Sequence, residues 1–312
     1  MITLEDIRQA QGRIAPHIRE TPLIRADALS APISEAELWL KLECLQATGS
    51  FKARGATNKL LATLPDEMAR GVTTASGGNH GLAVARAARL AGVPATIFVP
   101  TNVAPAKIEK LRKWGAAVEV VGSVWNETNV SALAFAQDSG CAYFHPFADP
   151  LVVAGQGTLA LEILERQPDL DAVLIAIGGG GLITGMAVAL KALKPSIRIV
   201  GIEPVGAPTL HASLKAGHVV RLDKVTTGVA TMACAETDAD VFATSRNLID
   251  EIVLIEDEDM LEAARWLWFE MGLAADLSGA AAVAALRKGM LTFRTGQKVC
   301  ALVCGAGPEG LA

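Results

Sequence analysis

The 312-residue chain has one tyrosine, five histidines and only 4% aromatic residues, and no run of lysine or arginine. Lacking a clustered basic stretch and carrying a formal charge of −5, it has no electrostatic footprint for nucleic acid. It also lacks a basic segment followed by an apolar one at its start, where Met-Ile-Thr-Leu-Glu-Asp is acidic by the fifth residue. No secretory signal is read, and a cytoplasmic protein is expected. The five cysteines (Cys44, Cys141, Cys234, Cys300, Cys304) are odd in number and scattered, which suggests reduced thiols and not a disulfide framework. No repeat or low-complexity linker occurs. What is present is 51% hydrophobic and 20% charged residues with 29 glycines, which excludes disorder and suits two globular domains acting on a small molecule.

One stretch has the length of a membrane span: residues 172–190 are uncharged, AVLIAIGGGGLITGMAVAL. Four consecutive glycines argue against a helix there, since each costs about 1 kcal/mol relative to alanine, so strand, glycine turn and helix is the better reading. The same rhythm recurs. Apolar runs at 71–76, 95–100, 117–121, 172–177, 197–203 and 299–304 alternate with helical patterns at 4–18, 51–64, 79–91, 104–114, 127–139, 154–165, 182–193, 257–271 and 278–288. Uninterrupted apolar strands between helices imply parallel βαβ units. Ala148-Asp149-Pro150 is the best internal break, and Ser278 is a candidate N-cap for GAAAVAAL.

In open α/β sheets, ligands bind at the carboxyl ends of strands, where three segments stand out. Gly178 to Gly181 lie between a strand and a helix, so their amides can converge on one anion of phosphate size. The dinucleotide fingerprint G-x-G-x-x-G fails at Thr184, although Glu203 ends the next strand where a ribose partner would lie, so a nicotinamide oxidoreductase stays open. No Gly-Lys-Ser/Thr follows, which excludes a Walker loop. Ser76-Gly77-Gly78-Asn79-His80-Gly81 is a second such turn, suited to a carboxylate. In Thr48-Gly49-Ser50-Phe51-Lys52-Ala53-Arg54-Gly55-Ala56, Lys52 sits at a predicted helix start, where desolvation and the helix dipole lower its pKa. A nucleophilic lysine, a phosphate cup and a carboxylate loop are together what a pyridoxal phosphate amino-acid enzyme needs.

Ser50-Phe51-Lys52-x-Arg54-Gly55-Ala56, Ser76-x-Gly78-Asn79-His80 and Gly178 to Gly181, with His145-Pro146-Phe147, Gly155-Gln156-Gly157-Thr158, Gly201-Ile202-Glu203-Pro204 and Ser278-Gly279-Ala280-Ala281, resemble the serine/threonine dehydratases of the fold type II pyridoxal phosphate enzymes, serine racemases included. The likeness covers essentially the whole chain. It implies an α/β architecture of two open twisted sheets covered by helices, with a large domain of residues 1–70 plus 146–312 and a small one of 71–145. By the same resemblance Lys52 would hold the cofactor as a Schiff base and act as catalytic base, and Phe51 would pack on its ring. Asn79 would bond its phenolic oxygen, and Gly178, Gly179, Gly180, Gly181 and Leu182 its phosphate. Cys304 would face the pyridine nitrogen, while Ser76, Gly77, Gly78, His80 and Pro146 would surround an amino-acid substrate. A homodimer or higher homo-oligomer is implied, with neither membrane nor nucleic acid as partner.

A neutral thiol at the ring nitrogen makes a weaker electron sink and favours prompt β-elimination to a 2-oxo acid and ammonia. Racemases of this kind need a second acid/base whose serine aligns with Gly77, so elimination with little racemisation is expected. Some relatives bind Mg2+ or Ca2+ through residues matching Glu203, Ala207 and Thr209, the last a neutral replacement for an acid. Thr226-Thr227-Gly228, Asp276-Leu277-Ser278 and Gly305-Ala306-Gly307-Pro308 depart from the family pattern. The chain stops eight residues after Cys304, which leaves no room for a C-terminal regulatory domain. A β-replacement synthase on the same scaffold and a non-catalytic ligand-binding protein are the alternatives.

Overall fold

Apolar segments too short for helices pair into two sheets in the computed structural model, which describes residues 2–27, 29–123 and 125–311. The strands among them are β1 (Leu23–Arg25), β2 (Glu37–Leu42), β3 (Val72–Ala75), β4 (Ala95–Val99), β5 (Ala117–Val120), β6 (Ala142–Tyr143), β7 (Ala172–Ala176), β8 (Arg198–Pro204), β9 (Glu251–Ile255) and β10 (Lys298–Val303). One sheet has the order β1-β2-β10-β7-β8-β9 and the other β5-β4-β3-β6. All pairs are parallel except β1 with β2.

The helices are α1 (Leu4–Ile14), α2 (Lys52–Ala62), α3 (Pro65–Met68), α4 (Asn79–Ala91), α5 (Pro105–Lys113), α6 (Trp125–Ser139), α7 (Pro150–Arg166), α8 (Gly181–Leu193), α9 (Thr209–Ala216), α10 (Ala239–Ser245), α11 (Asp257–Met271) and α12 (Leu277–Arg287). The uncharged run divides as its glycines require into β7, a turn and α8, and no helix among the described residues is long and apolar enough to cross a membrane. Every residue of β7 is buried, with Ile199, Val200 and Ile202 of β8 and Val299 to Val303 of β10 beside it. Glycines let the covering helices meet backbone to backbone. A Cβ on Gly185 of α8 would lie 2.2 Å from the Val153 carbonyl of α7, and one on Gly155 would lie 2.6 Å from the Gly55 Cα of α2.

Two local expectations are corrected. The cap of α12 is Asp276, whose side chain accepts from the Gly279 amide, and Ser278 lies inside the helix. The apolar run at 299–304 forms a strand only to Val303, so Cys304 lies one residue beyond β10.

A buried set of charges ties α2 to its surroundings. Arg54 pairs with Glu43 through Nε and Nη2, at 2.8 Å each, and with Glu162 through Nη1 and Nη2, at 2.6 and 2.9 Å. Lys41 of β2 bonds Glu162 and the Thr21 carbonyl. Burial opposes the charge on Arg54, yet Glu43 and Glu162 hold its pKa above the ordinary arginine value. Removing one partner of such a set leaves a lone buried charge, at a cost of about 3–5 kcal/mol.

Candidate active site

The chain reaches Lys52 through a tight approach. Thr48 (φ 64°) and Gly49 (φ 85°) are both left-handed, and Thr48 is the sole non-glycine residue with positive φ among the described residues, a conformation costing about 1–2 kcal/mol. The Phe51 amide donates to the Cys304 carbonyl at 3.2 Å and the Ala306 amide to the Gly49 carbonyl at 2.8 Å, which fastens the start of α2 to the end of β10. Lys52 Nζ donates to the Pro146 carbonyl at 2.7 Å and lies 5.1 Å from the Phe51 ring centroid. Burial lowers its pKa to about 8, with the Cys304 and Cys234 thiols its titratable neighbours. An amine so placed is partly free near neutral pH.

The glycine turn after β7 forms a cup of amides. The first hydrogen bond of α8 runs from the Thr184 amide to the Gly180 carbonyl at 3.0 Å, so the amides of Gly181, Leu182 and Ile183 have no intrahelical acceptor. Gly180 takes φ 95°, and the Thr237 hydroxyl donates to the Gly179 carbonyl at 3.0 Å. The wall is Phe147: a Cβ on Gly179 would come within 2.3 Å of its ring, and one on Gly181 within 2.5 Å of its carbonyl. Phe147 follows the residue that holds Lys52, so cup and lysine share one segment.

The turn after β3 supplies a second row of amides. The first bond of α4 runs from the Leu82 amide to the Gly78 carbonyl at 3.2 Å, leaving the amides of Asn79, His80 and Gly81 open, while the Gly78 amide donates to Ser76 Oγ at 3.3 Å. A Cβ on Gly78 would meet nothing within 4 Å, whereas one on Gly77 would meet Val103 at 2.7 Å. The His80 ring turns inward. Its Nε2 bonds the Phe144 carbonyl at 3.0 Å, which makes Nε2–H the donor, and burial with Lys52 pushes its pKa well below the ordinary histidine value. The buried Nδ1 is an acceptor without a partner, so the ring has no donor left to offer a ligand, whereas the amide of His80 stands open. His145, lowered to about 4 by burial and Lys52, accepts at Nδ1 from the Ala148 amide at 2.8 Å.

Asn79 Nδ2 donates to Asp276 at 2.9 Å, and the Cys304 thiol lies 3.8 Å from Ser278 Oγ. Burial and Asp276 push the pKa of Cys304 far up, so it is a neutral thiol. The structure thus gathers Lys52, Phe51 and Cys304 at one junction and links Asn79 to it through Asp276. Phe147, Val103 and Thr237 are walls that sequence reasoning missed, since nothing in an apolar or hydroxyl residue marks which glycine it faces.

Glu203 has another task. Its two oxygens accept from the Leu210 and His211 amides at 2.8 Å each, capping α9, and burial raises its pKa to about 7. The Ala207 carbonyl accepts from the Thr209 amide at 2.9 Å, and the Thr209 hydroxyl bonds the Cys234 carbonyl. The one carboxylate of the expected cation set is thus engaged as a helix cap and Thr209 brings no charge, so nothing in this arrangement supports a divalent cation. Among the described residues no group of three or more His, Cys, Asp or Glu could hold a metal.

A lysine of lowered basicity near a phosphate-sized amide cup and a carboxylate-sized amide row, at the ends of two largely parallel sheets, defines a cofactor-dependent α/β enzyme of the fold type II kind. The donor set fits pyridoxal phosphate: free amides for the phosphate, an amine of lowered pKa for the aldehyde and a neutral thiol near them. Residues 14–305 match the family model described as pyridoxal-phosphate dependent enzyme, and the chain belongs to that family. It is 38% identical over 305 residues to L-threonine ammonia-lyase of Thermotoga maritima, covering 98% of this chain and 75% of that one. It is 37% identical over 285 residues to serine racemase of Arabidopsis thaliana, covering 90% and 84%. Among solved structures, maize serine racemase superposes with a TM-score of 0.92 at 32% identity, covering 97% and 93%. The processed form of threonine deaminase isoform 2 from Solanum lycopersicum superposes at 0.90 with 34% identity, covering 97% of this chain and 90% of that one.

Proposed function

We propose that this pyridoxal phosphate enzyme is an ammonia-lyase that dehydrates and deaminates a 3-hydroxy amino acid such as threonine or serine. The observation that carries the reading is Lys52, its pKa lowered to about 8 and its amine hydrogen-bonded to Pro146, between two rows of unpaired amides. Bound pyridoxal phosphate supplies the sink for the electron pair released at the substrate α-carbon. The residues do the rest. Gly178 to Gly181 and Leu182 hold the phosphate through backbone amides, and the amides of Asn79, His80 and Gly81 with Ser76 hold the substrate carboxylate. The free amine of Lys52 takes the α-proton. The β-carbon–oxygen bond then breaks, hydroxide leaves with a proton as water, and hydrolysis of the released enamine gives the 2-oxo acid and ammonia. Cys304, neutral and buried, does not hold a proton on the ring nitrogen, which favours elimination over a long-lived carbanion.

Gly77 has no side chain, and Val103 occupies the space a serine there would need, which supports elimination without racemisation. The division into residues 1–70 plus 146–312 and residues 71–145 belongs to the same reading, supported by the second sheet's lying wholly within the latter. So does assembly of two or more copies, supported by Trp268 and Phe269 standing exposed on α11. Cytoplasmic residence is supported by five free cysteines. The test is borohydride reduction of the holoenzyme with mass analysis of Lys52, followed by 2-oxo acid release from L-threonine, L-serine, 3-hydroxyaspartate and an aryl-serine, with and without sulfide. Label on Lys52 and oxo-acid release from at least one substrate are expected. No label overturns the cofactor role of Lys52, and a 3-thiol amino acid formed from sulfide in place of the oxo acid overturns elimination in favour of β-replacement.

A further inference from the structure

Asn79 and Cys304, assigned to two different atoms of the cofactor ring, converge on one carboxylate. Asp276 is buried, with 7% of its surface exposed. Its Oδ1 accepts from the Gly279 amide at 2.6 Å and the Ser278 hydroxyl at 2.7 Å, and its Oδ2 accepts from Asn79 Nδ2 at 2.9 Å. The Asp276 amide donates to the Gly305 carbonyl at 3.0 Å. Gly305 is what admits this approach, for a Cβ there would lie 2.5 Å from Asp276 Oδ2 and 3.0 Å from Asn79 Nδ2.

The side-chain oxygens of Asp276 act only as acceptors in these three contacts. The side-chain amide of Asn79 must therefore turn its NH2 end toward Asp276, which leaves one N–H of that group for a second acceptor and fixes the direction of Oδ1. The Ser278 hydroxyl has a single proton, and Asp276 takes it. Ser278 Oγ is then an acceptor toward Cys304, in keeping with the 3.8 Å contact from sulfur. We propose that Asp276 is a positioning residue that dictates which hydrogen-bonding atoms Asn79 and Cys304 present to the cofactor. Asn79 is held as a donor, as an anionic phenolic oxygen requires, and Ser278 Oγ, its own proton committed to Asp276, competes with the ring nitrogen for the Cys304 proton. The proposal rests on the cofactor reading given above and adds to it a single control point for both contacts.

Asp276→Asn separates positioning from folding. Asparagine is as good an N-cap as aspartate, and its Oδ1 can still accept from Gly279 and Ser278. Its NH2 then faces the NH2 of Asn79, two donors meet, and the Asn79 amide must flip. The apoprotein should keep its circular dichroism spectrum and unfold within about 2 °C of the parent. The dissociation constant for pyridoxal phosphate should rise about tenfold, and the visible absorption band of the bound cofactor should shift. Ser278→Ala cuts only the thiol branch, so it should move the band with little loss of affinity. Affinity within twofold of the parent and an unmoved band for Asp276→Asn would overturn the proposal. So would weaker binding accompanied by a lowered apoprotein unfolding midpoint and an unmoved band, because that pattern belongs to a structural cap. A parent protein that takes up no pyridoxal phosphate at all refutes the cofactor reading instead, before any variant is compared.

Discussion

Replacing Gly179 by alanine is the sharpest test of the phosphate cup. The added carbon would sit 2.3 Å from two atoms of the Phe147 ring and 2.5 Å from a third, against a comfortable carbon–carbon separation of about 3.5–4.0 Å. Either the ring or the glycine turn must retreat by about 1 Å. The ring has little freedom, since its far neighbour is the edge of His145 at a centroid distance of 4.6 Å. Displacing Phe147 also moves Pro146, whose carbonyl holds Lys52. Overpacking of this kind costs about 1–3 kcal/mol, and its upper part, about 2.7 kcal/mol, is about 100-fold in a binding constant. Equilibrium titration of apoprotein with pyridoxal phosphate, read by visible absorbance, should therefore show an affinity about 100-fold weaker for Gly179→Ala. Phe147→Ala removes the obstacle, so the double variant should bind better than Gly179→Ala alone, with a coupling of about 1–2 kcal/mol. An affinity within threefold of the parent, or strictly additive losses, refutes the assignment of Phe147 as the wall of the cup.

Acid stability should follow the two inward histidines. Their folded-state pKa values lie below the unfolded value, at about 4 for His145 and well below normal for His80. The unfolded chain therefore binds more protons below about pH 6.5, and stability falls as pH drops through that window toward 4. Urea unfolding between pH 4 and 7.5 should show the slope, with about 3 kcal/mol from His145, and His145→Gln should reduce it; an unchanged slope refutes the neutral state of this half-buried ring. Gly77→Ser alone should not confer serine racemisation, because Val103 Cγ2 would lie 2.7 Å from the new Cβ. If Gly77→Ser racemises L-serine as well as the double variant with Val103→Ala does, the space argument fails. Chiral chromatography of the recovered serine decides it.

Much of this was legible in the sequence wherever one residue type has one physical use. The glycine run broke an apparent membrane span correctly, and Asn79–Ala91 and Asp257–Met271 are helices at the expected bounds. β2 and β9 were passed over. In β2 a charged residue interrupts the apolar pattern of Glu-Leu-Trp-Leu-Lys-Leu, and Lys41 is nonetheless buried against Glu162. Partners far apart in the chain were invisible for the same reason. Nothing local to Asp276 announces Asn79, 197 positions away, and nothing in Glu203-Pro204 tells a helix cap from a cation ligand. A helix N-terminus offers the His80 side chain two directions, and only packing chooses the Phe144 carbonyl.

The charges behind α2 carry one more consequence. Arg54, Lys41, Glu43 and Glu162 sum to zero, and burial excludes mobile ions from them. Two residues along the chain, Lys52 therefore rests on an electrically silent footing. Its basicity should respond little to ionic strength, and the pH profile of turnover should report the lysine and its ligands alone, undistorted by the scaffold beneath.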